Sequence, residues 1–299
     1  MIQLTGLTKR YGEVLAVDDL TFTVRPGLVT GFLGPNGAGK TTTMRMILGL
    51  DLPTSGTATV NGRLCQDLPN PLREVGSLLE AQAVHPRRTA RKHLLYLAQT
   101  NDLPATRVDE VLDLVGLTDA AGRKAGAYSL GMSQRLGIAA ALLGDPPVLL
   151  LDEPVNGLDP EGVLWIRTLI RGLAAEGRTV LVSSHLMSEM ALTADRLVVI
   201  GKGRLIAEAD IGEFTEEGAA VVVRTPEAAS FARRLELSGA HVQVGRDGEL
   251  VVTGMTAPDV GRLAAAESVP LFELTPRRTS LEDAFMELTR DSVEYGAAR

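Results

Sequence analysis

The chain of 299 residues carries one cysteine, few aromatic residues and no excess of positive charge. Each shortage excludes something. With Cys65 alone there is no intrachain disulfide, and its neighbours show no metal-ligand spacing, so it reads as an inert thiol in a reducing compartment. A formal charge of −7 argues against a surface that grips nucleic acid through its phosphates, which needs clustered Lys and Arg. No uninterrupted apolar run approaches the roughly 18 to 20 residues of a membrane-spanning helix. The most apolar stretch, Leu136 to Leu151, is broken by Asp145, Pro146 and Pro147. The opening segment MIQLTGLTKRYG lacks the charged head, apolar stretch and small-residue cleavage site of a secretory signal. These absences predict a chain that stays in the cytosol, with another chain spanning any membrane it serves. With 45% hydrophobic and 22% charged residues the chain can bury a sizeable core, and its length predicts two domains.

From Ile2 to about Ala209, short β-rich runs alternate with helical stretches, which predicts an α/β domain on a largely parallel buried sheet. Val148 to Asp152 and Thr179 to Ser183 are continuous apolar runs of the kind buried on both faces, with ligand chemistry expected at their C-terminal ends. Glu161 to Glu176 suits a crossover helix between them. Ala90 to Asn101, Thr106 to Leu117 and Ser133 to Leu143 form a helical block, an inserted subdomain spanning about residues 80–145. From Asp210 the pattern changes. A strand at Ala219 to Thr225, a helix at Pro226 to Leu237 and a hairpin of His241 to Gly245 with Leu250 to Gly254 are expected, turning at Arg246-Asp247-Gly248. A helix from Pro258, a strand at Leu271 to Leu274 and a last helix from Leu281, boxed by Ser280 and Asp283, complete a βαββαβ order. That order predicts a small α+β, ferredoxin-like accessory domain over residues 210–299.

Gly34-Pro35-Asn36-Gly37-Ala38-Gly39-Lys40-Thr41 follows an apolar run and opens a helical one, the context a phosphate-binding loop requires. Glycines let backbone N–H groups approach phosphate oxygens, and the helix N-terminus adds positive potential. Lys40 reaches the β and γ phosphates, Thr41 offers a hydroxyl to Mg²⁺, and Thr42 continues the cradle. Asp152 and Glu153 end a strand of the same sheet. There an Asp suits a Mg²⁺ held through water, and the next Glu suits polarising the attacking water. His185, one strand further on, is placed to contact the γ phosphate.

In their order these motifs resemble the ATP-binding cassette ATPases of transporters, over roughly residues 2–209. The resemblance adds roles that spacing alone does not give. Lys9-Arg10-Tyr11-Gly12 is similar to the segment whose aromatic ring, here Tyr11, stacks on adenine. Tyr128-Ser129-Leu130-Gly131-Met132-Ser133-Gln134-Arg135 is similar to the family's signature motif, and Asn156-Gly157-Leu158-Asp159 to the loop that couples two sites through Asp159. Ser129, Gly131 and Met132 would then face an ATP held by a second copy, so that one chain could not complete a site. The resemblance implies a P-loop cassette with ATP and Mg²⁺ as cofactors, working as a dimer beneath a separate membrane permease. The chain would sit on the inner face of the cell membrane through that permease and bind no nucleic acid.

The sequence also departs from the family. Leu130 and Met132 stand where Gly and Gln are usual, and Glu80 where most members place a Mg²⁺-ligating Gln. Glu80 either ligates the metal, adding negative charge beside the triphosphate, or is a solvated loop residue. The run from Gly76 resembles bacterial drug and peptide-antibiotic resistance ATPases, whose permeases are usually exporters of the ABC-2 type. A basic cluster, Arg87, Arg88, Arg91 and Lys92, follows it and suits either solvent or the membrane partner. A different class, a non-transport cassette acting as a ribosome- or DNA-associated switch, usually has two cassettes or a coiled-coil insertion with basic surfaces; this chain has neither. The C-terminal domain suits regulation or dimerisation equally.

Overall fold

A computed structural model describes residues 1–81, 83–212, 220–245 and 248–277. The chain separates into two compact units with the boundary between Ala209 and Asp210. The first contains strands β1 (Ile2–Tyr11), β2 (Val14–Val24) and β3 (Val29–Leu33), helix α1 (Lys40–Ile47), β4 (Ser55–Val60), α2 (Pro71–Glu74) and β5 (Val75–Leu78). The helices α3 (Ala90–Thr100), α4 (Thr106–Leu114) and α5 (Leu130–Leu142) follow. The chain then runs through β6 (Val148–Asp152), α6 (Pro160–Ala175), β7 (Thr179–Ser184), α7 (Met187–Thr193), β8 (Arg196–Gly201) and β9 (Arg204–Asp210).

The main sheet has the order β5-β6-β7-β3-β8-β9, and its β5–β6, β6–β7, β7–β3 and β3–β8 pairs are parallel. Every residue of β3, β6 and β7 is buried, as expected of strands covered on both faces. From β3 the chain adds strands first on one side and then on the other, so the C-terminal end of β3 is where a ligand crevice is expected. A second, antiparallel sheet of order β2-β1-β4 was not foreseen. Its strand β1 places Ile2, Leu4 and Leu7 in the core, where Phe22 of β2 meets Phe32 of β3 with ring centroids 5.4 Å apart.

The helical block consists of α3, α4 and α5, tied by backbone-directed arginines. Arg107 of α4 donates to the Leu142 and Leu143 carbonyls at the end of α5, and Arg135 of α5 donates to Val115 just past α4. Two of its boundaries differ from expectation. The last helix starts at Leu130 rather than Ser133 because the Ser129 hydroxyl accepts the Met132 N–H and caps it. α4 stops at Leu114 rather than Leu117 because Gly116, with φ of 68°, closes its end.

The second unit holds β10 (Ala220–Arg224), a helix Ala228–Leu237, β11 (His241–Val244), β12 (Glu249–Thr253), a helix Ala257–Ala266 and β13 (Glu273–Arg277). Its sheet order is β11-β12-β10-β13 with every neighbouring pair antiparallel, so each helix links two strands that flank a third. Phe231, Leu235, Val223, Leu250, Val252 and Val260 form a separate core. The last strand lies later than the expected Leu271 to Leu274. Pairing with β10, from Arg224 opposite Glu273 to Ala220 opposite Arg277, overrides the apolar run and leaves Phe272 exposed. Ala219, the turn residues Arg246 and Asp247, the Ser280–Asp283 box and the helix from Leu281 lie outside the described residues.

Candidate functional site

Three buried strands end on one cleft of about 490 Å³. β3 feeds the loop before α1, β6 ends in Asp152 with Glu153 next, and β7 leads to His185, which is not itself among the lining residues but meets Glu153. Asn36, Gly37, Gly39, Lys40, Thr41 and Thr42 line the cleft from the loop side, and Glu80, Asp152 and Glu153 line it from the other strands. The loop tolerates no side chain at two of its glycines. A Cβ on Gly34 would stand 2.5 Å from the Ile200 carbonyl oxygen, and one on Gly39, whose φ is 101°, would stand 2.5 Å from that of Ala16. Ala38, between Gly37 and Gly39, is buried.

Lys40 begins α1 and is only 7% exposed. Its ammonium donates to the Gly34 carbonyl at 2.7 Å and lies 3.8 Å from Glu153 Oε1. Burial lowers its pKa, and the Glu153 and Asp152 carboxylates oppose that shift. Thr41 Oγ1 donates to Asp152 Oδ2 at 2.6 Å, and the buried Ser183 hydroxyl donates to the other Asp152 oxygen. Hydroxyl and carboxylate thus present hard oxygen atoms at one point, the donor chemistry a Mg²⁺ ion takes.

Glu153 has φ of 49°, in the left-handed region that costs a non-glycine residue about 1–3 kcal/mol. Both of its backbone polar groups are held by side chains. Its N–H donates to Ser183 Oγ at 2.9 Å, and its carbonyl accepts from Gln134 Nε2 at 3.1 Å as well as from the Asn156 N–H of the adjoining turn at 3.2 Å. Its carboxylate sits 2.8 Å from His185 Nδ1, on the ring that follows the next strand.

Tyr11, at the end of β1, is half exposed and is not among the cleft-lining residues. Its hydroxyl donates to Asp51 Oδ2 at 2.9 Å, while Arg45 of α1 grips both Asp51 oxygens at 2.8 and 3.0 Å. The Arg45 and Tyr11 hydrogen bonds hold the Asp51 carboxyl down at about 2. The Lys9 ammonium lies 4.8 Å from the Tyr11 ring centroid.

The signature residues are engaged locally. Ser129 caps α5, Gly131 approaches the Gly157 carbonyl so closely that a Cβ would stand 2.9 Å from it, and neither these two nor Met132 lines the cleft. Leu130 and Gln134 of the same helix do. Asp159 caps α6 by accepting the Gly162 N–H at 2.9 Å. Glu80 is exposed within the cleft. Sequence reasoning missed the roles of Gln134, named there only as part of the signature run, and of Ser183, Arg45 and Asp51. Gln134 had one legible sign, a polar residue amid the apolar positions of α5. Asp51 had none.

The comparisons agree with this geometry. Residues 17–156 match the ABC transporter family, and residues 219–282 match a domain of unknown function, DUF8746. The uncharacterized ABC transporter ATP-binding protein YhcH of Bacillus subtilis is 37% identical over 98% of this chain and 97% of its own length. The bacitracin transport ATP-binding protein BcrA of Bacillus licheniformis is 36% identical over 96% of this chain and 97% of its own. Among solved structures, the dimeric bacterial ABC transporter cassette MJ0796 is 27% identical with a TM-score of 0.65, covering 71% of this chain and 99% of its own. The same cassette is known as a post-hydrolysis dimer bound to ADP and phosphate. Near-complete alignment to such relatives, on a cleft built from a phosphate loop and paired carboxylates, shows that the chain belongs to the ATP-binding proteins of ABC transporters, which hydrolyse ATP.

Proposed function

We propose that the chain is the motor of an exporter, binding ATP with Mg²⁺ at the described cleft and closing on a second copy to hydrolyse it. The observation that carries this is the meeting of Lys40, Thr41, Asp152, Glu153 and His185 at the ends of three parallel strands. Lys40 and the loop N–H groups hold the β and γ phosphates, with Gly34 and Gly39 keeping the backbone close. Thr41 and Asp152 hold Mg²⁺, with Glu80 as a further oxygen donor; the metal when bound neutralises phosphate charge. Glu153 takes the proton of the attacking water, and His185 orients that carboxylate and faces the γ phosphate. Tyr11 stacks on adenine. Ser129, Gly131 and Met132 reach the ATP of the second copy, with Asp159 between the two sites.

The name of BcrA, together with Glu80 and the run from Gly76, supports export through a separate permease of the ABC-2 type. No helix among the described residues is long and apolar enough to cross a membrane, so the proposal places the pathway in that permease. The second unit, whose order suits a ferredoxin-like domain, is assigned an accessory role. Affinity purification from membranes tests the whole reading. Co-purification of a multi-spanning membrane protein with Mg²⁺-dependent ATPase activity is expected. Recovery with ribosomes or DNA and no membrane partner would favour the switch-type alternative.

A further inference from the structure

We infer that Gln134 is a positioning residue for Glu153, tying the catalytic carboxylate to the signature helix of its own chain. The inference rests on the assignment of Glu153 as the group that accepts the proton from water. Gln134 lies on α5 five positions after the capping Ser129, and it is 4% exposed amid buried Leu136, Ile138 and Ala139. A buried amide is destabilising unless it is hydrogen-bonded, and this one donates to the Glu153 carbonyl at 3.1 Å. The contact joins residues 19 positions apart, with β6 reached only after α5 has ended.

Glu153 needs such a partner. Its left-handed backbone is an unfavourable conformation that persists only where the surroundings over-determine it. Ser183 fixes the N–H side of the residue, Gln134 and the Asn156 N–H of the adjoining turn hold the C=O side, and together they leave the carboxylate between Lys40 and His185. Without Gln134 the carbonyl keeps only the Asn156 N–H, which belongs to the same turn and moves with it, so residue 153 loses its tie to α5 and its carboxylate can shift from that position. Ser129 begins the helix that carries Gln134, so a shift of the first turn of α5 is transmitted to the Glu153 backbone through a single helix. The signature segment thereby acts on the water-activating group of its own chain, in addition to whatever it touches on a partner.

The test uses the full chain as purified, with Gln134→Leu and Gln134→Met beside Glu153→Gln. Both Gln134 variants keep the volume and remove the donor. The expected result is a fall in kcat of about tenfold or more, the scale of a misplaced catalytic group, with KM for ATP within about twofold. Because binding survives while hydrolysis slows, an ATP-bound dimer should accumulate on size-exclusion chromatography. A purely structural role predicts instead a lower Tm with loss of nucleotide binding and of the dimer together, and that outcome would overturn the inference. Wild-type kcat in the Gln134 variants beside an inactive Glu153→Gln overturns the clamp alone. Wild-type hydrolysis by Glu153→Gln overturns the base and the clamp with it.

Discussion

At the scale of single residues, the cleft separates binding from chemistry. Lys40→Ala removes a charge aimed at phosphate and should weaken ATP affinity by roughly tenfold to a hundredfold, the worth of one charge-assisted hydrogen bond, as read by fluorescent-nucleotide titration. Glu153→Gln keeps the cradle and should lower kcat by about 10²- to 10⁴-fold, with ATP retained; steady hydrolysis measured beside nucleotide binding checks it. Glu80→Gln keeps shape and removes charge. If Glu80 ligates the metal, the variant should need more Mg²⁺ for half-maximal activity, and a Mg²⁺ titration that does not move would remove Glu80 from the site. Lys40, Thr41, Asp152 and Glu153 were legible in the sequence because each belongs to a short run whose neighbours dictate strand, loop or helix. Ser183 and Gln134 were not, since a hydroxyl near a strand end and an amide in a helix acquire their meaning only from Glu153, 30 and 19 residues away.

Among the elements, strand β1 and helix α1 are joined by polar contacts that no local pattern announced. Tyr11 ends the strand, Arg45 lies in the last turn of the helix, and Asp51 beyond it binds both. Asp51→Ala should free the Tyr11 ring and weaken ATP binding by about fivefold, the worth of one exposed hydrogen bond, while leaving affinity for tripolyphosphate unchanged. In a Tyr11→Phe background the same substitution should add little, because the hydroxyl that Asp51 holds is already gone. Equal losses for ATP and tripolyphosphate would instead mean that Asp51 supports the phosphate loop. The fully buried runs of β6 and β7 were readable as strands from apolar continuity alone. β13 was not, because its limits are set by the residues of β10 that it pairs with.

Across the whole molecule, the site is assembled from distant sequence. Thr41 and Asp152 meet across 111 positions, and every residue assigned to the cleft lies before the boundary at Ala209. The parallel topology achieves this by bringing successive strand ends to one edge. Ser129, Gly131 and Met132 of the signature segment stand outside this chain's own cleft, and in the proposed dimer they complete the site of the second copy. Ser129→Arg should therefore leave the variant's own ATP bound while blocking hydrolysis on the facing copy. In mixed dimers a wild-type phosphate loop opposite a variant signature should be inactive, and equal turnover at both sites would refute completion by a partner.

Helix α1 has a metric consequence. Lys40 stands at its first position and Arg45 five residues on, an axial rise of about 7.5 Å, so in the proposed function one short helix carries both the phosphate grip and, through Asp51, the anchor of the Tyr11 ring. On that proposal the helix is a gauge whose two marks keep a fixed spacing, and ATP would have to span them to be held at both ends. A single alanine inserted between Thr42 and Arg45 would turn the second mark by about 100° while leaving the first in place. Triphosphate would still be gripped, but the base would lose its register.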